Sequence, residues 1–235
     1  MKVIPFPKKK YHIIYVDPPW KFTYRHKEED LTGHNEGIYQ LMSLDEIKNL
    51  PISDISEDNS ILFLWVTDPL LREGLEVMKH WGFEYKTVAF TWVKKNRNNG
   101  KDWLGMGYWT RSNPEMCLLG TQGIIHRINS NVPQLIKYPR REHSRKPDKI
   151  RDEIVRLVGD VSRIELFARQ QCKGWDNWGN ELSNVQGKFL IDFFAGKGVD
   201  ISGNGTGGSA TTAGEEVRLI PDTTSRQKNK EKEGK

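Results

Sequence analysis

Cysteine is nearly absent from this 235-residue chain, which holds only Cys117 and Cys172. Two such residues make neither a disulfide framework nor a zinc-ligand pattern, and they read as small buried side chains in a reducing compartment. The six histidines show no metal-ligand spacing either, so no metal site is expected. Long hydrophobic runs are also missing. The longest, such as "ILFLWV" at 61–66, are strand-length and far below the roughly 20 residues of a membrane span. The opening "MKVIPFPKKK" has no apolar segment of the kind a secretory signal needs. No internal repeat is present. These absences predict a soluble, cytoplasmic protein with no membrane partner.

Aromatic residues and unevenly placed charge are what the chain has instead. Eight tryptophans are many for this length. The net charge of +5, with a pI near 9.1, leans mildly toward polyanionic partners. Residues 1–10 carry +4, residues 94–111 carry +4 and residues 137–151 carry +5, which leaves −8 for the remainder. Trp92, Trp103, Tyr108, Trp109 and Tyr138 are interleaved with the basic stretches. Cations that grip phosphate beside rings that stack on bases form a nucleic-acid footprint; ordinary solvated loops are the alternative.

Along the chain, strand and helix patterns alternate. "YHIIYV" (11–16), "ILFLWV" (61–66), "YKTVAFTWVK" (85–94) and "SRIELFAR" (162–169) read as strands. "NPEMCLLG" (113–120) and "GIIHR" (123–127) read as a hairpin or a strand pair. A capping box, Ser43 with Glu46, opens a short helix over 43–50. Leu70, Leu71, Leu75, Met78 and Trp81 recur at helical spacing over 68–82, and residues 146–159 read as a helix with Pro147 in its first turn and Gly159 at its end. The polar stretch 21–37 reads as a long loop. This alternation predicts an α/β domain with a mainly parallel sheet, in which ligands bind at the carboxyl ends of the strands. Asp17 and Arg169 fall at two such ends. The tail from Asp200 has no aromatic residue and is rich in Gly, Ser and Thr, a composition that cannot offset its ordering entropy.

The first strand ends at Asp17-Pro18-Pro19-Trp20. Proline cannot continue a sheet ladder, so the chain stops there with an acid, two rigid residues and a large aromatic. Methyl transfer to the exocyclic amine of a nucleobase needs these parts. The amine lone pair is delocalised into the ring, and two acceptors drawing on both N–H bonds free it. The Asp17 carboxylate supplies one acceptor, and a carbonyl fixed by Pro18 and Pro19 supplies the other. The Trp20 ring then offers a face for the base. The effect is orientation plus electrostatic preorganisation, without a strong base. A turn with an Asp cap and a core tryptophan has the same residue types.

With "LFLWVT" (62–67), "WGFEYKTVAFTWVK" (81–94), "HSRKPDKI" (143–150), "RIELFAR" (163–169) and "WDNWGNE" (175–181) in the same order, the motif resembles the amino-methyltransferases related to the catalytic subunit of the eukaryotic mRNA adenosine methyltransferase, in a bacterial or phage form. The resemblance covers roughly residues 11–182. It implies a Rossmann-like S-adenosylmethionine-dependent methyltransferase fold, with helices on both faces of the sheet, and S-adenosylmethionine as cofactor. It implies that Lys146 and Arg169 hold the methionine carboxylate or nearby polar groups, that Asn180 and Glu181 contact the ribose, and that Asp17 lies close to the methyl donor. Gln170, Gln171 and Cys172 depart from the family's usual residues after the arginine. "LIDFFAGKGVD" (190–200) resembles the cofactor loop of other amino-methyltransferases, but it leads into the tail without a following helix; it is read as an appended segment.

On the substrate side, the 21–37 loop is placed to close over the target base, with Tyr24, Arg25, His26 and Lys27 as contacts. Lys94, Lys95, Arg97 and Lys101, from the loop where relatives contact substrate, and Arg140 and Arg141 complete the expected nucleic-acid-binding set. His143 is read as structural. The domains expected are 1–182 for the methyltransferase, 183–199 for an appended segment and 200–235 for the tail. The expected activity is methylation of the 6-amino group of adenine in nucleic acid, with DNA favoured over RNA. A non-catalytic nucleic-acid-binding subunit and a cytosine amino-methyltransferase are the alternatives. A homodimer or a related partner subunit is left open.

Overall fold

The apolar run "YHIIYV" forms a strand, β1 (Tyr11–Val16), at the heart of a seven-stranded sheet. It is covered on both faces, and a doubly covered strand reads as continuous apolar sequence rather than as an alternation. The computed structural model describes residues 5–21, 41–107, 109–142 and 145–182. The remaining elements are α1 (Leu44–Lys48), α2 (Ile52–Ile55), β2 (Ser56–Val66), a 3₁₀ turn (Asp68–Leu70), α3 (Leu71–His80), β3 (Glu84–Lys95), β4 (Glu115–Gln122), β5 (Leu135–Pro139), α4 (Lys149–Val158), β6 (Arg163–Leu166) and β7 (Asp176–Trp178).

The strand order is β5-β3-β4-β2-β1-β6-β7. β4 runs antiparallel to both β2 and β3, while the other pairings are parallel. The mainly parallel α/β sheet is therefore present, with one reversed strand. The reversal has a consequence for chemistry. Met116 pairs with Val66 and Glu115 with Trp92, so β4 begins at the rim where β1, β2 and β3 end.

Helices cover both faces, as expected. On one face Ile47, Ile52, Ile55, Val77 and Met78, from α1, α2 and α3, join Ile14, Val16, Leu62, Leu64 and Val66 in one apolar cluster. On the other face Ile150, Ile154 and Val158 of α4 join Ile13, Tyr15, Phe63 and Trp65. Gly74 lets α3 settle onto β2, because a Cβ there would stand 2.3 Å from Cγ1 of Val66. The capping box of α1 is formed, with the Ser43 hydroxyl and the Glu46 carboxylate each reaching across the first turn.

Several boundaries differ from those read in the sequence. β2 begins at Ser56, before its apolar run, and β6 ends at Leu166 rather than at Arg169. Residues 123–127 form no strand: Gly123, at φ 65°, turns the chain out of the sheet. β5 has no counterpart among the strands read in the sequence, and its last three residues fall in the basic stretch 137–151. α4 starts at Lys149, so Pro147 precedes the helix instead of lying in its first turn. Leu75 is exposed, off the buried face of α3. The 21–37 loop beyond Lys21, Tyr24, Arg25, His26, Lys27, His143, the "FFAGKG" segment and the tail lie outside the described residues.

Candidate active site

Asp17 directly follows β1, Glu115 opens β4, Lys94 closes β3, and Lys146 lies three residues ahead of α4. The fold brings all four to one rim. The Lys146 Nζ stands 2.8 Å from both carboxylate oxygens of Asp17 and 3.1 Å from Oε2 of Glu115. Glu115 Oε1 is in turn 2.7 Å from the Lys94 Nζ. β2 separates β1 from β4, and the Lys146 ammonium crosses that gap 5.4 Å from the Trp65 ring centroid. Trp65 is itself fixed, its indole N–H donating to the Tyr15 hydroxyl at 2.8 Å. The result is a chain of alternating sign, Asp17–Lys146–Glu115–Lys94, with no net charge.

Burial sets the electrostatics. Taken alone it would raise the Glu115 carboxyl, but Lys146 and Lys94 outweigh it and hold the group down at about 2. Burial likewise opposes the charge on Lys146, and Asp17 and Glu115 reverse that effect and raise its pKa. A neighbouring network lies under β6. Arg151 Nη1 is 2.9 Å from Glu165, and the Asp148 carboxylate receives Arg141, Arg145 and Arg151. Burial pushes the Glu165 carboxyl up to about 7 against the pull of Arg151.

The acid-Pro-Pro-aromatic turn is tied down at each step. Trp20 N–H donates to the Pro18 carbonyl at 2.9 Å, Met42 N–H donates to the Pro19 carbonyl at 2.8 Å, and Lys21 N–H donates to Met42. The expectation that Trp20 offers an open face is not what the structure places there. Its ring is 8% exposed within the core, and its indole N–H donates to the Trp65 carbonyl at 3.0 Å. The tryptophan clamps the turn onto β2.

Beyond β6, Phe167 adopts φ 58°, a left-handed conformation disfavoured for a side chain of this size. That kink turns Ala168 and Arg169 toward β7. Ala168 N–H bonds the Trp178 carbonyl at 3.0 Å, and a Cβ on Gly179 would meet the Ala168 carbonyl oxygen at 2.3 Å. The two backbones thus touch, and Arg169 Nε comes 3.4 Å from Oε1 of Glu181, beside Asn180. Cations, carboxylates and an amide at two neighbouring strand ends fit an amino-acid zwitterion and a ribose diol, the polar ends of S-adenosylmethionine. The Lys146 donors face Asp17 and Glu115 here.

The expected nucleic-acid contacts divide into two groups. Lys94 turns inward to Glu115, and Arg141 is paired with Asp148, so neither presents an open cation. Lys95 pairs with Asp102 at 2.6 Å, and Arg97 with Glu142 at 2.6 Å. Lys101 and Arg140 are exposed, and the Arg140 guanidinium lies 5.0 Å from the Trp103 ring centroid. Arg97, Arg140, Arg141 and Asn96 line a polar cavity of about 570 Å³. Among the described residues, no group of three or more His, Cys, Asp or Glu could hold a metal, and no helix is long and apolar enough to cross a membrane.

Glu115 is the residue the sequence reading missed. Its signal was available: like Asp17, it is a lone acid bounding an apolar strand, here directly after a basic loop.

Residues 11–181 match the family described as MT-A70. The chain is 36% identical over 192 residues to the type II methyltransferase M.MunI of Mycoplasma sp, covering 75% of this chain and 79% of that protein. It is 31% identical over 180 residues to the human N(6)-adenosine-methyltransferase catalytic subunit METTL3, covering 75% of this chain and 29% of the relative. It is also 31% identical over 178 residues to the N(6)-adenosine-methyltransferase MT-A70-like protein of Arabidopsis thaliana, covering 74% of this chain and 24% of the relative. The chain therefore spans less than a third of the length of these adenosine-methyltransferase relatives and most of the length of M.MunI. With most of its described residues inside the match, the chain belongs to the MT-A70 family.

Proposed function

We propose that the chain is an S-adenosylmethionine-dependent methyltransferase that places a methyl group on the 6-amino group of adenine in DNA. The observation that carries this reading is the Asp17 carboxylate, held by Lys146 at the end of β1 beside the Pro18 carbonyl. A carboxylate offers about four lone-pair sites. Lys146 uses one on each oxygen, which leaves both oxygens able to accept from an amine N–H. The Pro18 carbonyl, next to Asp17 in the chain, supplies the second acceptor; it accepts Trp20 N–H and keeps one lone pair, as the Pro19 carbonyl does beside its bond from Met42.

S-adenosylmethionine, when bound, supplies an electrophilic methyl group on sulfur. Asp17 and Pro18 orient the adenine amine and withdraw density from its N–H bonds, so that the lone pair points out of the ring plane. Lys146 holds the Asp17 carboxylate in position, and Glu115 keeps Lys146 in place. After transfer the extra proton leaves the amine through Asp17. Arg169, Asn180 and Glu181 hold the polar ends of the cofactor. Exposed Lys101 and Arg140 meet phosphates. DNA is taken as the polymer because a relative matched along most of both lengths is a type II methyltransferase.

The test is labelled methyl transfer to DNA and to RNA, followed by nucleoside analysis. N6-methyladenine from DNA is expected. Label on cytosine, label confined to RNA, or no label with either polymer overturns the corresponding part of the reading. Calorimetry adds a control, since absence of S-adenosylmethionine binding would indicate a nucleic-acid-binding subunit.

A further inference from the structure

The connection between β3 and β4 carries the most exposed apolar side chains among the described residues. Met106 is 90% exposed and Trp109 91%, with Leu104 beside them at 58%. An apolar tip of this kind on a basic loop is costly in water, and it marks a surface that something covers.

The tip stands on a built base. Asn113 closes the root: its side-chain oxygen accepts from Lys94 N–H at 2.9 Å and its amide donates to the Lys94 carbonyl at 3.0 Å. Gly105 N–H donates to the Ser112 carbonyl at 2.7 Å, and the Arg111 guanidinium grips the Gly105 and Leu104 carbonyls at 2.6 and 3.0 Å. Gly107 lies so close to the Thr110 carbonyl oxygen that a Cβ would come within 1.7 Å. Lys94 and Glu115, which bound the connection on either side, belong to the Asp17–Lys146 cluster. The tip therefore projects from a hydrogen-bonded root at the catalytic rim, and the stretch 94–111 that contains it carries +4.

We propose that this tip, led by Met106 and Trp109, is a wedge that enters the base stack of duplex DNA at the place the target adenine leaves. The inference rests on the adenine-methyltransferase reading. Within a duplex, the 6-amino group is paired and stacked, and chemistry on it requires the nucleotide to swing out. An apolar or aromatic side chain inserted between base steps offsets the lost stacking and holds the gap open. A rigid base suits this task, because a wedge that folds back does not hold the stack apart. Trp20 is buried, and among the described residues Trp109 is an exposed ring on the connection that starts and ends at this rim. The surrounding positive charge matches the backbone of the same duplex.

The test is methyl transfer by the full chain to methylation-free amplified genomic DNA, native or heat-denatured. The double variant Met106→Ala/Trp109→Ala is expected to lose at least tenfold in kcat/KM on native DNA. On denatured strands, whose bases are already unstacked, it is expected to lose less than threefold. Trp109→Phe is expected to restore most of the activity on the duplex. An equal loss on both forms, or no loss on the duplex, overturns the wedge. So does an unchanged native-to-denatured ratio accompanied by altered sedimentation of the free protein, which would make the tip a contact between protein chains. Failure of the methyltransferase reading looks different, because the unaltered protein then labels neither form. Topoisomerase relaxation of a closed plasmid then decides the matter: bound unaltered protein shifts the linking number and the double variant does not, and equal shifts overturn the proposal.

Discussion

The ammonium of Lys146 stands 2.8 Å from each carboxylate oxygen of Asp17, 129 positions away in sequence. The pair joins the end of β1 to the approach to α4 and fixes the one acid of the acid-Pro-Pro-aromatic turn. Glu115 secures the other side of the same ammonium, 3.1 Å away.

Removing the Glu115 carboxylate takes an ion-pair partner from both Lys94 and Lys146. Breaking a buried ion pair from one side costs about 3 kcal/mol or more. Glu115→Gln is therefore expected to lower the melting temperature by roughly 10 °C, read by calorimetry or circular dichroism. The sign with pH follows from the depressed carboxyl. Glu115 titrates near 2 when folded and near 4.5 when unfolded. Its contribution is complete above about pH 4.5 and is lost as the pH falls toward about 2. The stability gap between the unaltered protein and Glu115→Gln should be constant at neutral pH and close in that acid window.

The basic residues should separate by salt dependence. Each phosphate contact to duplex DNA adds about 0.9 to the slope of log affinity against log salt. Lys101→Ala and Arg140→Ala should each reduce that slope by about 1. Lys94→Ala should leave the slope unchanged and lower stability instead, because its ammonium serves Glu115. Fluorescence anisotropy across a salt series, set beside melting curves, distinguishes the two behaviours.

At the cofactor end, Arg169→Ala removes a charged donor beside β6, and a hydrogen bond to a charged group contributes about 1.5 to 3 kcal/mol. S-adenosylmethionine affinity measured by calorimetry should fall by roughly tenfold or more. Affinity within twofold of the unaltered protein would remove Arg169 from the site.

The parts legible in the sequence are those whose signals are local. β1 and its abrupt end were readable because prolines stop a ladder, and α1 was readable from its Ser43–Glu46 box. The mainly parallel α/β sheet followed from strands and helices in alternation, and helices on both of its faces from the resemblance to the amino-methyltransferases. The reversal of β4 was not readable, since strand direction depends on which neighbours it finds and not on its own residues. β5 is only five residues long, ends in a proline and runs into the basic stretch from 137, so no clear strand pattern marks it. Trp20 shows a different limit. An aromatic at a strand end suits a stacking face and a core plug equally, and only the position of the Trp65 carbonyl decides for the plug. Lys94 was counted with the cations of its loop, although its charge is spent on Glu115 across the sheet. Charge composition does not reveal which member of a basic run turns inward.

Asp17→Asn tests the role of Asp17 in a single-turnover assay of methyl transfer to DNA. The amide keeps the shape of the side chain but removes its charge. Turnover should drop by about a hundredfold to a thousandfold, the usual loss when one preorganised electrostatic contact is removed, while S-adenosylmethionine still binds within a few-fold of the unaltered affinity. N6-methyladenine formed by Asp17→Asn at the unaltered rate would exclude Asp17 from the transfer step.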